Sequence, residues 1–174
     1  MKKPIKGNIV IDADKCVACK TCELACSVAH SRSKDLVWAI YEKPISPPRI
    51  KVESTDEFVV PLQCRHCEDA PCIKICPTKA ITRADRESPV LIDQGKCIGC
   101  KWCVLVCPFG VINMDKDGKF IIKCDLCFER LKQGEKPACV VSCPTHALQF
   151  KTVKEISKEK KKEYLINIKK GKKE

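Results

Sequence analysis

Sixteen cysteines fall into four groups of four along a chain of 174 residues, and none lies outside the groups. The first group is Cys16, Cys19, Cys22 and Cys26, with gaps of two, two and three residues, and the third repeats it as Cys97, Cys100, Cys103 and Cys107. The second, Cys64, Cys67, Cys72 and Cys76, widens the middle gap to four residues, and the fourth, Cys124, Cys127, Cys139 and Cys143, widens it to eleven. Aromatic residues make up only 5% of the chain, so the hydrophobic core is thin. Bonds from thiolate to metal, whose binding free energy becomes folding free energy, are the natural substitute.

A secreted disulfide scaffold is the first alternative. The chain opens Met1-Lys2-Lys3-Pro4-Ile5-Lys6-Gly7 and runs directly into a strand-like stretch, without the apolar region and small-residue cleavage site of an export signal. No twin-arginine pair precedes an apolar stretch, and no run approaches the roughly 20 apolar residues needed to cross a bilayer. The expectation is a reducing, cytoplasmic compartment without a transmembrane segment, where cysteines in close sets are metal ligands more often than disulfides.

Groups one and three match the bacterial ferredoxin run that holds 4Fe-4S clusters. Three thiolates on one tight loop each reach a different iron of a cube, while backbone N–H groups turn toward the sulfides. The fourth cysteine has already entered a short helix that points away, and it ligates the other cluster of an interlaced pair. Pro77, Pro108 and Pro144 follow the last cysteine of three groups, fixing φ and turning the chain. Group one has Ser27 there, which leaves the turn less constrained but keeps every thiolate. Structural zinc is the competing reading of any lone Cys-x2-Cys pair. Four complete sets, three of them ending in Cys-Pro, favour iron-sulfur clusters over zinc.

Repeats extend beyond the cysteines. Ile11-Asp12-Ala13-Asp14-Lys15-Cys16 resembles Ile92-Asp93-Gln94-Gly95-Lys96-Cys97, and the segments that begin at Pro77, Pro108 and Pro144 share one pattern. Each unit reads as strand, cysteine loop, short helix, strand, and the units pair into two-cluster folds. Residues 81–92 and 111–122 predict β-hairpins around Arg86-Glu87-Ser88-Pro89 and Asp115-Lys116-Asp117-Gly118. The longest gap, 27–63, predicts a helical or looped segment ending at Pro44-Ile45-Ser46-Pro47-Pro48, then strands at 49–53 and 57–60, all packing over one half. Within it Trp38 and Tyr41 are read as ordinary packing residues first, with contact to a partner as the alternative.

Residues 151–174 carry ten lysines against four glutamates, which dominates the formal net charge of +11. They predict a solvated helix or a disordered arm, with Tyr164, Leu165, Ile166 and Ile168 as a small apolar patch for a partner. Stacking aromatics are not interleaved with the lysines, and an oxidised cluster with its four thiolates contributes about −2, so four clusters lower the total to roughly +3. No nucleic-acid partner is expected.

The order of the groups resembles the four-cluster iron-sulfur subunits of the dimethyl sulfoxide reductase type over residues 8–150. The resemblance implies an α+β fold of two fused, pseudo-symmetric bacterial-type dicluster ferredoxin-like halves with short hairpins and helices. Its outer half is 8–60 plus 120–150, including the insertion 27–63, its inner half 61–119, and a basic tail of 151–174 follows. It also implies four 4Fe-4S clusters with fixed ligand sets. These are Cys16, Cys19, Cys22 with Cys143; Cys124, Cys127, Cys139 with Cys26; Cys64, Cys67, Cys72 with Cys107; and Cys97, Cys100, Cys103 with Cys76. Within that family the stretch 16–34, with Cys22-Glu23-Leu24-Ala25-Cys26-Ser27-Val28-Ala29-His30-Ser31, is most similar to the ferredoxin-like partner of nickel carbon monoxide dehydrogenase. Small subunits of tungsten or molybdenum aldehyde oxidoreductases are very similar.

The function implied is single-electron relay, each cluster passing between its 2+ and 1+ states, between a larger catalytic subunit and a second redox enzyme or carrier. The chain is not expected to be an enzyme on its own. A formate oxidoreductase, a hydrogenase, a free-standing polyferredoxin and self-association into filaments remain as alternatives. His30, His66 and His146 are read as surface residues or as supports for the ligands, because every cluster already has its thiolates. Lys20, Lys101 and Trp102 lie inside the loops, where they cover or tune a cluster or simply fill space.

Overall fold

The computed structural model describes residues 6–169 and 171. The reading of residues 1–5, and that of 170 and 172–174 in the basic tail, lies outside the described residues. The elements are short and punctuated by the cysteine loops. Strand β1 (Asn8–Ile11) and a 3-10 turn (Ala13–Lys15) precede the first loop, and helix α1 (Thr21–Ala29) follows it. Helix α2 (Leu36–Tyr41) and strands β2 (Ile50–Ser54) and β3 (Val59–Gln63) form the insertion. Helix α3 (Pro71–Lys74), strands β4 (Ile81–Thr82) and β5 (Leu91–Ile92), helix α4 (Trp102–Leu105) and strands β6 (Asn113–Met114) and β7 (Ile121–Ile122) come next. Helices α5 (Phe128–Lys132) and α6 (Ala138–Val141), strand β8 (Leu148–Lys151) and helix α7 (Val153–Lys169) complete the order.

Proline explains a difference among the cysteine helices. The residue before a proline is disfavoured in the helical region, and α3, α4 and α6 each span four residues and stop short of Cys76-Pro77, Cys107-Pro108 and Cys143-Pro144. Ser27 imposes no such stop, so α1 runs on through Cys26 for nine residues.

All strand pairs among the described residues are antiparallel and two-stranded. Strand β1 pairs with β8, with Ile11 opposite Leu148, and so joins the start of the described chain to the segment after the fourth cysteine group. The hairpins at β4–β5 and β6–β7 form as the sequence predicts, with Ile81 opposite Ile92. Strands β2 and β3 pair from Ile50 opposite Gln63 to Ser54 opposite Val59. The apolar side chains divide between two cores. One gathers Ile9, Ile50, Leu126, Leu131, Leu148 and Phe150 around Cys22, Cys26, Cys139 and Cys143. The other gathers Ile81, Val90, Ile112 and Ile121 around Cys72 and Cys103, with Cys67, Cys76, Cys97 and Cys107 at its margin.

Part of the insertion packs on the first of these cores. Ile50 and Val52 enter it, and Glu23 of α1 accepts a hydrogen bond from the Val52 N–H at 2.7 Å. The reading of Trp38 and Tyr41 as ordinary packing residues is corrected. They are 67% and 74% exposed, and Ala39 is the buried residue of α2. The six-residue helix is held at its N-terminus, where Asp35 Oδ1 accepts from Val37 N and Trp38 N at 2.9 and 3.1 Å. The basic tail forms a solvated helix: α7 buries no residue. It begins with a reciprocal cap in which Thr152 N donates to Glu155 Oε2 at 2.7 Å and Glu155 N to Thr152 Oγ1 at 3.2 Å. Among the described residues no helix is long and apolar enough to cross a membrane.

These placements predict different responses to two changes. Ile50→Ala empties a site 2% exposed and is expected to cost about 2–5 kcal/mol, read as a lower denaturant midpoint for loss of the visible cluster absorbance. Truncation after Thr152 removes a helix with no buried residue and is expected to leave that midpoint unchanged.

Candidate iron-sulfur sites

The loops acquire their curvature from left-handed residues at equivalent positions. The residue before the second cysteine of every group has positive φ: Ala18 (56°), His66 (49°), Gly99 (65°) and Leu126 (60°). Lys20 (56°), Lys101 (67°) and Cys127 (50°) add a second such residue in three of the loops. For residues other than glycine this conformation costs of order 1–3 kcal/mol each and persists only where the surroundings enforce it. In two of the loops it turns an N–H onto the sulfur of the first cysteine. Leu126 N donates to Cys124 Sγ at 3.3 Å and His66 N to Cys64 Sγ at 3.4 Å. Glycine is demanded at one of these places by space as well: a Cβ on Gly99 would lie 2.5 Å from the Lys119 carbonyl oxygen.

The cysteines converge in sets that cross the groups. Cys16, Cys19, Cys22 and Cys143 line one small cavity, walled by Val52, Pro61 and Leu148. Cys76, Cys97, Cys100 and Cys103 line its counterpart, walled by Ile81, Ile92 and Ile121. Burial pushes the Cys139 thiol up, and the neighbouring Cys124, Cys127 and Cys26 push it further. Burial likewise raises Cys72; Lys123 opposes that, while Cys64 and Cys107 add to it. Cys67 packs into the same core as Cys72. Cys22 also acts on Cys139, and Cys72 on Cys103, so the neighbourhoods adjoin one another.

This donor set fits iron-sulfur clusters. Burial pushes Cys22, Cys103 and Cys127 up to about 11, and it raises Cys124 as well. Thiols crowded in apolar walls ionise only against positive charge, which cluster irons supply. Soft thiolate ligands and backbone N–H donors suit iron and sulfide together.

A polar seam runs between the two cores. His30 Nε2 meets Asp125 Oδ1 at 3.0 Å, and Arg49 pairs with Asp125 Oδ2 at 2.6 Å. The Arg49 N–H donates to Cys26 Sγ at 3.2 Å, and Cys127 N donates to Asp125 Oδ1 at 3.0 Å. Burial opposes the charge on His30, yet hydrogen bonds to Asp125 and Cys26 raise it to about 9. Burial also opposes the Asp125 carboxylate, but His30 and Arg49 hold it below its ordinary range. His66 receives the Val90 N–H on Nδ1 at 3.0 Å. Burial, then the charge of Lys123, lowers it to about 3, so it stays neutral.

His30 and His66 therefore stand beside the thiolates, His30 through Cys26 and His66 inside the second loop. Lys20 and Lys101 cap α1 and α4 in left-handed conformation, and Trp102 is half exposed. Asp125, Arg49 and the buried Lys123 escaped the sequence reading. The only signal for Asp125 and Lys123 was their position beside Cys124.

The chain matches the family described as the 4Fe-4S dicluster domain over residues 55–153 and belongs to it. An iron-sulfur protein of Rhodospirillum rubrum is 45% identical over 161 residues, 84% of each protein. The electron transport protein HydN of Escherichia coli is 39% identical over 155 residues, covering 80% of this protein and 85% of the relative. One subunit of the anaerobic dimethyl sulfoxide reductase of Escherichia coli is 34% identical over 154 residues, 86% and 75%. The protein is thus an electron-transfer iron-sulfur protein of α+β, dicluster ferredoxin-like fold, and the resemblance to the iron-sulfur subunits of the dimethyl sulfoxide reductase type holds.

The His30–Asp125 contact predicts a pH dependence. His30 is raised from 6.5 to about 9 on folding, so its contribution is complete below pH 6.5 and is lost as pH rises through about 9. Asp125 is lowered from 3.8, so its contribution is present above pH 3.8 and is lost only as pH falls through its depressed value. Cluster bleaching is expected to accelerate between pH 6.5 and 9, and Asp125→Asn should flatten that rise. An unaltered profile in the variant contradicts this assignment.

Proposed function

We propose that this chain is the electron-relay subunit of a larger oxidoreductase and carries four 4Fe-4S clusters. Their ligands are Cys16, Cys19, Cys22 and Cys143; Cys124, Cys127, Cys139 and Cys26; Cys64, Cys67, Cys72 and Cys107; and Cys97, Cys100, Cys103 and Cys76. One observation carries the reading: each of two small cavities is lined by three cysteines of one group and the last cysteine of another. The crossing is the interlacing that ferredoxin spacing requires. The division into an outer half, 8–60 plus 120–150, and an inner half, 61–119, belongs to the same proposal and is supported by the two cores. Strand β3 and the β6–β7 hairpin tie one half to the other.

A bound cluster supplies a site that gains and loses one electron without changing its ligands. The protein's part is to hold the thiolates, exclude water and space the sites. Cys19 and Cys100 are the exposed cysteines of the sixteen, and they belong to the first and last sets of the series, so electrons enter and leave there. Val17 and Ile98 occupy the same position in those two loops and are 63% and 66% exposed, offering apolar contact to a partner. Trp38 and Tyr41 on α2 are exposed as well and offer a further apolar contact.

The catalytic partner favoured is a carbon monoxide dehydrogenase, on the strength of the stretch 16–34. The relative from anaerobic dimethyl sulfoxide reductase favours a second reading, in which the partner is a reductase of another kind. Anaerobic purification from the native host under gentle conditions tests both. About 16 iron per chain are expected from this subunit, in a peak much larger than the 19.5 kDa chain. Nickel in that peak supports carbon monoxide dehydrogenase, and tungsten or molybdenum supports the second reading. Zinc with little iron would overturn the relay.

A further inference from the structure

Lys123 is the one charged side chain among the described residues that are buried, with 4% of its surface exposed. It follows β7 of the inner core and precedes Cys124. A lysine ammonium has three N–H donors, and the structure accounts for all of them. They point to the Val90 carbonyl, to the Cys124 carbonyl at 2.9 Å and to Cys64 Sγ at 3.9 Å. None of these partners is a carboxylate. Asp125, the nearby acid, is engaged by His30 and Arg49, and His66 in the same seam is neutral. A buried cation without a carboxylate is costly unless other negative charge offsets it. Cys64, Cys72 and Cys124, drawn from both middle cysteine sets, are the sulfurs its charge reaches.

We infer that Lys123 is a fixed positive charge at the junction of the two halves, selectively favouring the reduced state of the two middle clusters and so carrying the relay across the seam. The inference rests on the ligand sets proposed above. Reduction adds one electron to a cluster and no proton, and the electron comes from the neighbouring cluster. A positive charge close to both middle sets in a low-dielectric seam stabilises the added electron there. The terminal sets, at Cys19 and Cys100, open toward solvent and lie beyond its hydrogen bonds.

Redox titration followed by electron paramagnetic resonance on Lys123→Met, Lys123→Gln and Lys123→Arg tests this, with iron counted in each. In the neutral variants two clusters should become harder to reduce. At fixed ambient potential their reduced-to-oxidised ratio should fall about tenfold, ~59 mV for a one-electron couple. The other two should stay in place, and Lys123→Arg should keep all four potentials. A uniform shift of all four, or none, at full iron content overturns the inference. Should Lys123→Met fail to load, Lys123→Gln carries the test. Loss of iron from both neutral variants with full loading of Lys123→Arg supports a need for charge, and loss from all three overturns it. Fewer than four clusters in the unaltered chain would strike the ligand sets alone. The lysine is then judged by the cluster that Cys64→Ser removes, which must be one that shifts.

Discussion

A thiolate in an apolar pocket is stable only beside positive charge, and the structure depends on that pairing. Eight of the cysteines are buried, and burial and the thiols crowded around Cys139 push it up. Iron bound by these sulfurs would remove the electrostatic penalty and, with the ligand sets proposed above, would link segments distant in sequence. The aliphatic residues around them, Ile50 and Leu148 in one core and Val90 and Ile81 in the other, wall off the sulfurs more than they form an independent interior. The two-residue hairpins β4–β5 and β6–β7 have little stability alone. They make sense as walls of a site held by metal.

The backbone shows the same dependence. Left-handed residues recur before the second cysteine of all four groups, although only Gly99 adopts that geometry freely. Ala18, His66 and Leu126 are held there by their loops. What the loops gain is a set of N–H groups aimed at sulfur, as at Cys64 and Cys124, which influence reduction potential as well as shape.

Much of this was legible in the sequence because cysteine spacing and proline position are local. The hairpin over 81–92 formed with Ile81 opposite Ile92, and the strands of the insertion formed within a few residues of their expected places. Even the long α1 follows from one residue, Ser27 in place of proline. The seam was not legible. Lys123, Asp125 and Arg49 look like ordinary surface charges, and only the tertiary arrangement brings Arg49 onto Asp125 and turns Lys123 inward toward Val90 and Cys64. Trp38 and Tyr41 failed for the opposite reason. An aromatic pair in a helix suggests a core, but α2 is too short and too peripheral to have one.

The central claim is the crossing of cysteine groups, and the most direct test compares Cys26→Ser with Cys139→Ser by electron paramagnetic resonance of the dithionite-reduced protein. The two residues belong to the first and fourth groups, yet the account predicts that both substitutions alter the same cluster signal and leave the one altered by Cys16→Ser intact. If Cys26→Ser instead changes the signal that Cys16→Ser changes, each group holds its own cluster and the interlaced relay is wrong.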